Sequence, residues 1–456
     1  MPTDGSRRAF LKHSAALGIA GAATPFLVNL AALGEAAAAV NSDYKALVCV
    51  FLNGGNDHAN TVTPYDQASY SAHASFRSGI VHSRDELTAT LLNPAAALPG
   101  GLQYALAPNL APLVPLFNAD RLAVVLNVGT LMEPTTKAQY DANSVALPPK
   151  LFSHNDQQSF WQASTPEGAM SGWGGRIGDL FASGNGSATL TCINAAGNAV
   201  FLAGRSAVQY AISPSGPIPL NQGSLFGSTA AREALRGLIT APRTHLLENE
   251  HSRIVKRSLD TYAQVSSALA AVPPLATVFP AGNFLASQLK MVARLISASS
   301  ELGARRQVFF VSVGGFDFHA RLLEDHPPLM AEVAAALKAF YDATVELGAA
   351  HKVTTFTASD FGRSQTANGS GTDHGWGGHH FALGGAVRGR RFYGAPPVID
   401  DSGPDDVGQG RLLPGVSVDQ YAATLASWFG VAGGDMPTVL PNIGSYNTSS
   451  WNLGFL

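Results

Sequence analysis

The sequence predicts an α/β protein: a three-layer sandwich with a mainly parallel central sheet. Three observations predict it. Apolar, β-branched runs at 46–52, 122–128, 307–313 and 353–358 read as buried strands. Segments with apolar residues at helical spacing lie between and after them. Three of the runs lead into a glycine turn that carries an aspartate, the setting in which α/β sheets gather ligands at the carboxyl ends of their strands.

Taken in order, the 46–52 run leads into Asn53-Gly54-Gly55-Asn56-Asp57-His58, where the two glycines permit a sharp turn. Residues 64–115 are rich in loops and short helical pieces. The 122–128 strand ends at Gly129-Thr130, and Ser153 then stands at the N-cap of a short helix reaching Trp161. Residues 165–280 mix short strands (189–194, 200–202) with Gly/Ser/Pro turns and a charged helical patch near 232–257, which reads as an insertion or lid. Leu285, Leu289, Val292 and Ile296 form a helical stripe.

The 307–313 strand ends in Gly314-Gly315-Phe316-Asp317-Phe318-His319. A long helix follows, with Leu329, Val333, Leu337, Phe340 and Leu347 on one face and Gly348 closing it. With the 353–358 strand it makes a βαβ unit, which predicts two parallel neighbours. Residues 381–388 read as one more strand. Ser417-Val418-Asp419-Gln420 is a capping box for a helix burying Tyr421, Leu425 and Trp428.

Composition removes several function classes. The net charge is −3 and no basic run follows the N-terminus, which excludes a nucleic-acid surface. The two cysteines, Cys49 and Cys192, sit in apolar β-like runs without a CxxC context, which excludes a cysteine zinc site; they could form one disulfide but read rather as buried free thiols. Ser6-Arg7-Arg8-Ala9-Phe10-Leu11-Lys12, an apolar stretch and Ala37-Ala38-Ala39 form a twin-arginine signal peptide over 1–39. The 40–456 domain is then periplasmic or secreted, and no later segment has the ~18 apolar residues that span a bilayer. Replacing Arg7 and Arg8 by lysine should leave uncleaved precursor in the cytoplasm, read by fractionation and immunoblot. Continued export with cleavage near Ala39 would contradict the signal.

The candidate chemistry lies at the strand ends. Asp57, Asp317 and Asp360 each follow a strand; His319 trails Asp317, and Asp373, His374, His379 and His380 crowd the stretch after Asp360. Carboxylates and imidazoles are the donors that divalent metals prefer. Three carboxylates in one crevice repel one another unless cations neutralise them, so one or two divalent ions (zinc, manganese or calcium) are expected. Two ions about 4 Å apart can polarise a phosphoryl oxygen and activate a nucleophile.

The segments FLNGGNDHANTVTPYD, LFSHNDQQSFWQ, VGGFDFHA, SDFGRS, GTDHGWGGHHFALGGAV and GQGRLLPGVSVDQYAATLASWFG resemble the twin-arginine-exported family of domain of unknown function 1501. That family looks like a distant branch of the alkaline phosphatase-like superfamily. The resemblance implies an alkaline phosphatase-like fold and a metal-dependent hydrolase acting on a phosphate or sulfate ester, small-molecule or polymer-borne. It implies metal ligation by Asp57, by Asp317 with His319, and by His379 or His380. Asp360-Phe361-Gly362 stands where the superfamily has Asp-His-Gly, and Asp373-His374-Gly375 offers a replacement. It implies a nucleophile at a helix N-terminus, which Ser153 matches with Thr130 as the fallback. Arg363 and Arg411 are the candidate anion clamps. The alternative is a non-catalytic exported surface or assembly module that retains the fold.

Overall fold

A computed structural model describes residues 44–219, 225–400 and 402–456; the twin-arginine segment lies outside the described residues. The unit 45–456 is built on one ten-stranded sheet. Its strands are β1 (Lys45–Leu52), β2 (Leu122–Gly129), β3 (Cys192–Asn194), β4 (Tyr210–Ser213), β5 (Gly216–Pro217), β6 (Arg306–Val313) and β7 (Val353–Ser359). A hairpin of β8 (Arg363–Ala367) and β9 (Thr372–His374) stands outside the sheet, which continues with β10 (Gly378–Gly384), β11 (Phe392–Tyr393) and β12 (Val416–Ser417). The order is β11-β2-β10-β7-β1-β6-β3-β4-β5, with β12 paired to β2.

β1 is the axis. It pairs in parallel with β6 on one side and β7 on the other, so Leu52 stands level with both Val313 and Ser359. That register sends the segments carrying Asp57, Asp317 and Asp360 off one edge of the sheet. It also corrects one expectation: the βαβ strands β6 and β7 are parallel but not neighbours, because β1 lies between them. β10 departs too, starting at Gly378 and running antiparallel to both β7 and β2. The 200–202 segment is a 3-10 turn rather than a strand.

Period-two alternation sends β1 side chains to both faces. Leu47, Cys49 and Phe51 join Phe310 and Phe356 in a core with Trp161, Trp173 and the helix α4 (Val418–Phe429). Val48, Val50, Phe309 and Val311 are buried on the other face, where α2 (Phe284–Ser297) packs on β6 and along α3 (Leu322–Glu346). Each such side chain stabilises the fold by about 1.5–3 kcal/mol. Helices therefore cover both faces, the three-layer α/β architecture that the alkaline phosphatase-like resemblance implies. The capping box at Ser417 and Gln420 is present, and both cysteines are buried and free. Between 165 and 280, β3 to β5 extend the sheet edge, and helices Thr229–Thr240 and Leu246–Ala271 pack on each other.

Candidate metal centre

Glycine fixes the turn after β1. Gly54 has φ +115°, and a Cβ there would stand 2.6 Å from the Asp317 nitrogen. Gly55 has φ +81°, and its Cβ would enter the Phe361 ring at 2.3 Å. The turns after β1, β6 and β7 thus pack closely, yet their three aspartates meet different fates.

Asp57 is fully buried. Its Oδ1 accepts from Asn60 N (2.9 Å), and its Oδ2 accepts from Arg77 Nη2 (2.6 Å) and Thr372 Oγ1 (3.3 Å). Burial alone would raise its carboxyl, but Arg77, with His326 and His58, outweighs burial and holds it far below the ordinary carboxylate range. Expected as a metal ligand, Asp57 is instead the buried partner of a permanent cation. Asp360, also fully buried, accepts from Gly54 N (3.1 Å), Gln158 Nε2 (2.8 Å) and His154 Nδ1 (2.6 Å). Its Oδ2 thereby fixes the His154 ring. Asp317 alone is half-exposed; its Oδ1 accepts from Arg363 Nη1 (2.6 Å). Burial would raise its carboxyl, but the Arg363 hydrogen bond and charge lower it.

Three imidazoles converge on Asp317. His154 leads α1 (His154–Ala163) and gives its Nδ1 proton to Asp360. His374, at the end of β9, gives its Nδ1 proton to the Phe152 carbonyl (2.7 Å). His319 turns its Nδ1 to Asp373 Oδ1 (3.3 Å), which also accepts from Asn368 Nδ2 (2.6 Å). Each Nδ1 faces an acceptor, so in the neutral ring each Nε2 carries a lone pair. Those lone pairs meet: His374 Nε2 stands 3.1 Å from His154 Nε2 and 3.0 Å from His319 Nε2. Asp317 oxygens lie 3.5, 3.3 and 3.2 Å from the His154, His374 and His319 nitrogens.

Acceptor facing acceptor at such distances is unfavourable without a cation between them. Donors about 2 Å from a tetrahedral zinc ion stand about 3.3 Å from one another, so the spacing fits a small divalent ion. His154, Asp317 and His374 form a compact three-donor group, and His319 adjoins it. Phe361 cannot ligate, but its buried ring lies 4.9 Å from the His154 ring and 4.8 Å from that of His374, a floor holding both. The Asp360 hydrogen bond raises the pKa of His154, whereas burial lowers that of His374.

The remaining predicted residues divide. Asp373 is an outer partner of His319. His379 and His380 are buried on β10, where adjacent residues point to opposite faces. His379 Nδ1 accepts from Asn127 N (3.1 Å), and His380 packs on Trp161 with rings 4.6 Å apart. Neither joins the converging donors. Thr130, the fallback nucleophile, is buried beneath Trp376 Nε1 with its hydroxyl on Gln157. Ser153 is the N-cap of α1, but its hydroxyl donates to Asp156 Oδ2 (2.9 Å) instead of capping the backbone. Arg411 stacks on Phe152 at 4.3 Å and donates Nε–H to the His374 carbonyl (2.9 Å). Arg363 is wholly buried behind Asp317. Sequence reasoning missed His154, although it directly follows Ser153 at a predicted helix start.

A mainly parallel, three-layer α/β protein with imidazole and carboxylate donors beyond one sheet edge is the class that fold and site define. Residues 44–431 match the family described as Protein of unknown function (DUF1501), and the chain belongs to it. No curated protein matches the chain. Its fold is loosely similar to Ps i-CgsB in complex with k-i-k-neocarrahexaose (9% identity, TM-score 0.35, covering 88% of this chain and 77% of that one). It is similar to the same degree to the lipoteichoic acid synthase LtaP from Listeria monocytogenes (8%, 0.35, 92% and 81%). Alkaline phosphatase from the Antarctic bacterium TAB5 gives 11% identity and a TM-score of 0.29 over 75% and 91%. At these scores the likenesses are of general architecture.

Proposed function

We propose that this chain is an exported metal-dependent hydrolase of a phosphate or sulfate ester, carried by a small molecule or a polymer. The observation that carries this reading is the convergence of three Nε2 lone pairs beside Asp317, with every Nδ1 turned to an outer acceptor. Such acceptors fix the tautomer and orientation of metal-binding histidines. His154, His374, His319 and Asp317 would hold the ion, which supplies Lewis acidity to an ester oxygen.

The chain's own groups supply the rest. Ser153 is the proposed nucleophile, one residue from His154, and Asp156 Oδ2 is placed to take its proton. Lys150 Nζ stands 3.7 Å from the same oxygen and offsets its charge. The α1 N-terminus favours an oxyanion there. Lys150 and Phe152 hold left-handed φ of +50° and +71°, conformations that cost bulky residues about 1–3 kcal/mol and cluster at functional sites. This turn aims the Phe152 carbonyl at His374 and sets Ser153 beside His154. Arg411 is the proposed anion clamp, since among the described residues its Nη atoms make no hydrogen bond.

Chelated protein titrated with zinc, manganese or calcium should gain about 2.7 kcal/mol at a hundredfold excess over Kd, read as a raised Tm. Ser153→Ala should keep that gain and lose turnover of p-nitrophenyl phosphate and sulfate. A Tm indifferent to all three ions would replace the hydrolase with the non-catalytic module.

A further inference from the structure

Arg363 is buried too deeply to reach an ester. Its Nε donates to Thr372 Oγ1 (2.9 Å), its Nη2 to the Thr372 carbonyl, and its Nη1 to the Gly54 carbonyl (3.3 Å) and Asp317 Oδ1 (2.6 Å). Thr372 Oγ1 in turn reaches Asp57 Oδ2 (3.3 Å). Three bonds to the hairpin and the β1 turn therefore lock the guanidinium in place, independently of Asp317. Asp317 Oδ1 faces this fixed cation and also lies 3.3 Å from His374 Nε2 and 3.2 Å from His319 Nε2, while Oδ2 is turned to His154 Nε2.

We propose that Arg363 is a permanent internal counter-ion of the metal centre: it cancels the charge of Asp317 whether or not an ion is present. This rests on the metal-centre reading above. Two consequences follow from charge. In the empty centre the Asp317 carboxylate is already neutralised, so no ion is needed to balance it. The loaded centre keeps more of its ion's charge than it would without Arg363, because the one carboxylate among the donors is already matched; Asp360 and Asp373 stand behind His154 and His319 in either case. The ion is then held less tightly than the donor count alone suggests, and the centre stays electropositive toward an anionic ester. Occupancy tracks the metal available.

The test uses zinc alone, titrated calorimetrically into chelated protein, and inorganic phosphate titrated into the loaded protein. Arg363→Gln and Arg363→Lys both lose the guanidinium fork, but only lysine keeps the charge. The glutamine variant should bind zinc roughly tenfold tighter and phosphate roughly tenfold more weakly than the lysine variant. Opposite signs identify charge balance, since a distorted site weakens both. Equal zinc affinities in the two variants, or weaker zinc binding by the glutamine variant, would overturn the proposal. Should neither variant fold, Asp317→Asn decides. With Arg363 left buried and unmatched, its metal-free Tm should fall by several degrees; an unchanged or higher Tm would overturn the counter-ion. Wild-type protein that binds no zinc, manganese or calcium would remove the metal centre itself, whereas metal binding without the charge dependence removes Arg363 alone.

Discussion

Acidification from pH 7 to pH 5 should cost the metal-free protein most of its folding stability. His58 and His73 are held at about 3, His326 at about 4 and His380 at about 3, in each case chiefly by burial. An unfolded histidine titrates near 6.5. The unfolded chain therefore binds more protons throughout the window between, and stability present above about pH 6.5 is lost as pH falls toward 3–4. By pH 5 each of the four has lost about 2 kcal/mol. Asp419 opposes them: burial raises it to about 7, and its protonation returns about 2–3 kcal/mol over the same range. The histidines win by about 5 kcal/mol, comparable to the whole stability of many domains. Urea midpoints measured between pH 8 and pH 5 check this. His73→Phe should flatten the curve, because this wholly buried ring resists protonation in the fold and phenylalanine fills the same apolar space. A midpoint that is level across that range would contradict the expectation.

What the sequence made legible follows from how locally each feature is encoded. The bounds of β1, β2, β6 and β7 are written in continuous apolar runs, and α2 in its stripe, so these elements fall where the pattern puts them. The shared edge of the three aspartates is legible too, because parallel strands with a common register send their carboxyl ends one way. The division of labour among those aspartates is not. Arg77 lies 20 residues beyond Asp57 with no periodic relation to it, and only the folded chain reveals that they pair. His379-His380 looks ligand-rich as text, yet β10 runs antiparallel and buries both rings. His154 is hidden for the opposite reason. A single histidine at a helix start carries no signal until Asp360, 206 residues further on and just past β7, fixes its ring. Phe361 reads as a lost ligand in the chain, while in the fold it is the surface on which His154 and His374 rest.

Asp57→Asn should destabilise the protein by about 3–5 kcal/mol, the range for breaking a buried pair by removing one partner. The carboxylate and Arg77 are both wholly excluded from solvent and 2.6 Å apart. Asparagine keeps an oxygen for Asn60 N but cannot match the guanidinium, whose other hydrogen bonds go to the neutral carbonyls of Ser364 and Gln365. The loss should be the same with saturating zinc as with chelator. Crowded carboxylates awaiting an ion would behave otherwise: the substitution would then relieve repulsion in the metal-free protein and hurt only the loaded one. His154→Ala should show the complementary pattern: a smaller loss in chelator than Asp57→Asn, because Asp360 keeps Gly54 N and Gln158 Nε2, and the metal-dependent Tm gain abolished, because Nε2 is a proposed ligand. In Asp57→Asn/Arg77→Met, with the charge removed from both sides, a large part of the stability should return. Denaturant midpoints of the three variants, each with and without zinc, separate the two roles. If Asp57→Asn lowers the midpoint only when zinc is present, Asp57 is a ligand and the ion pair with Arg77 is not what holds it.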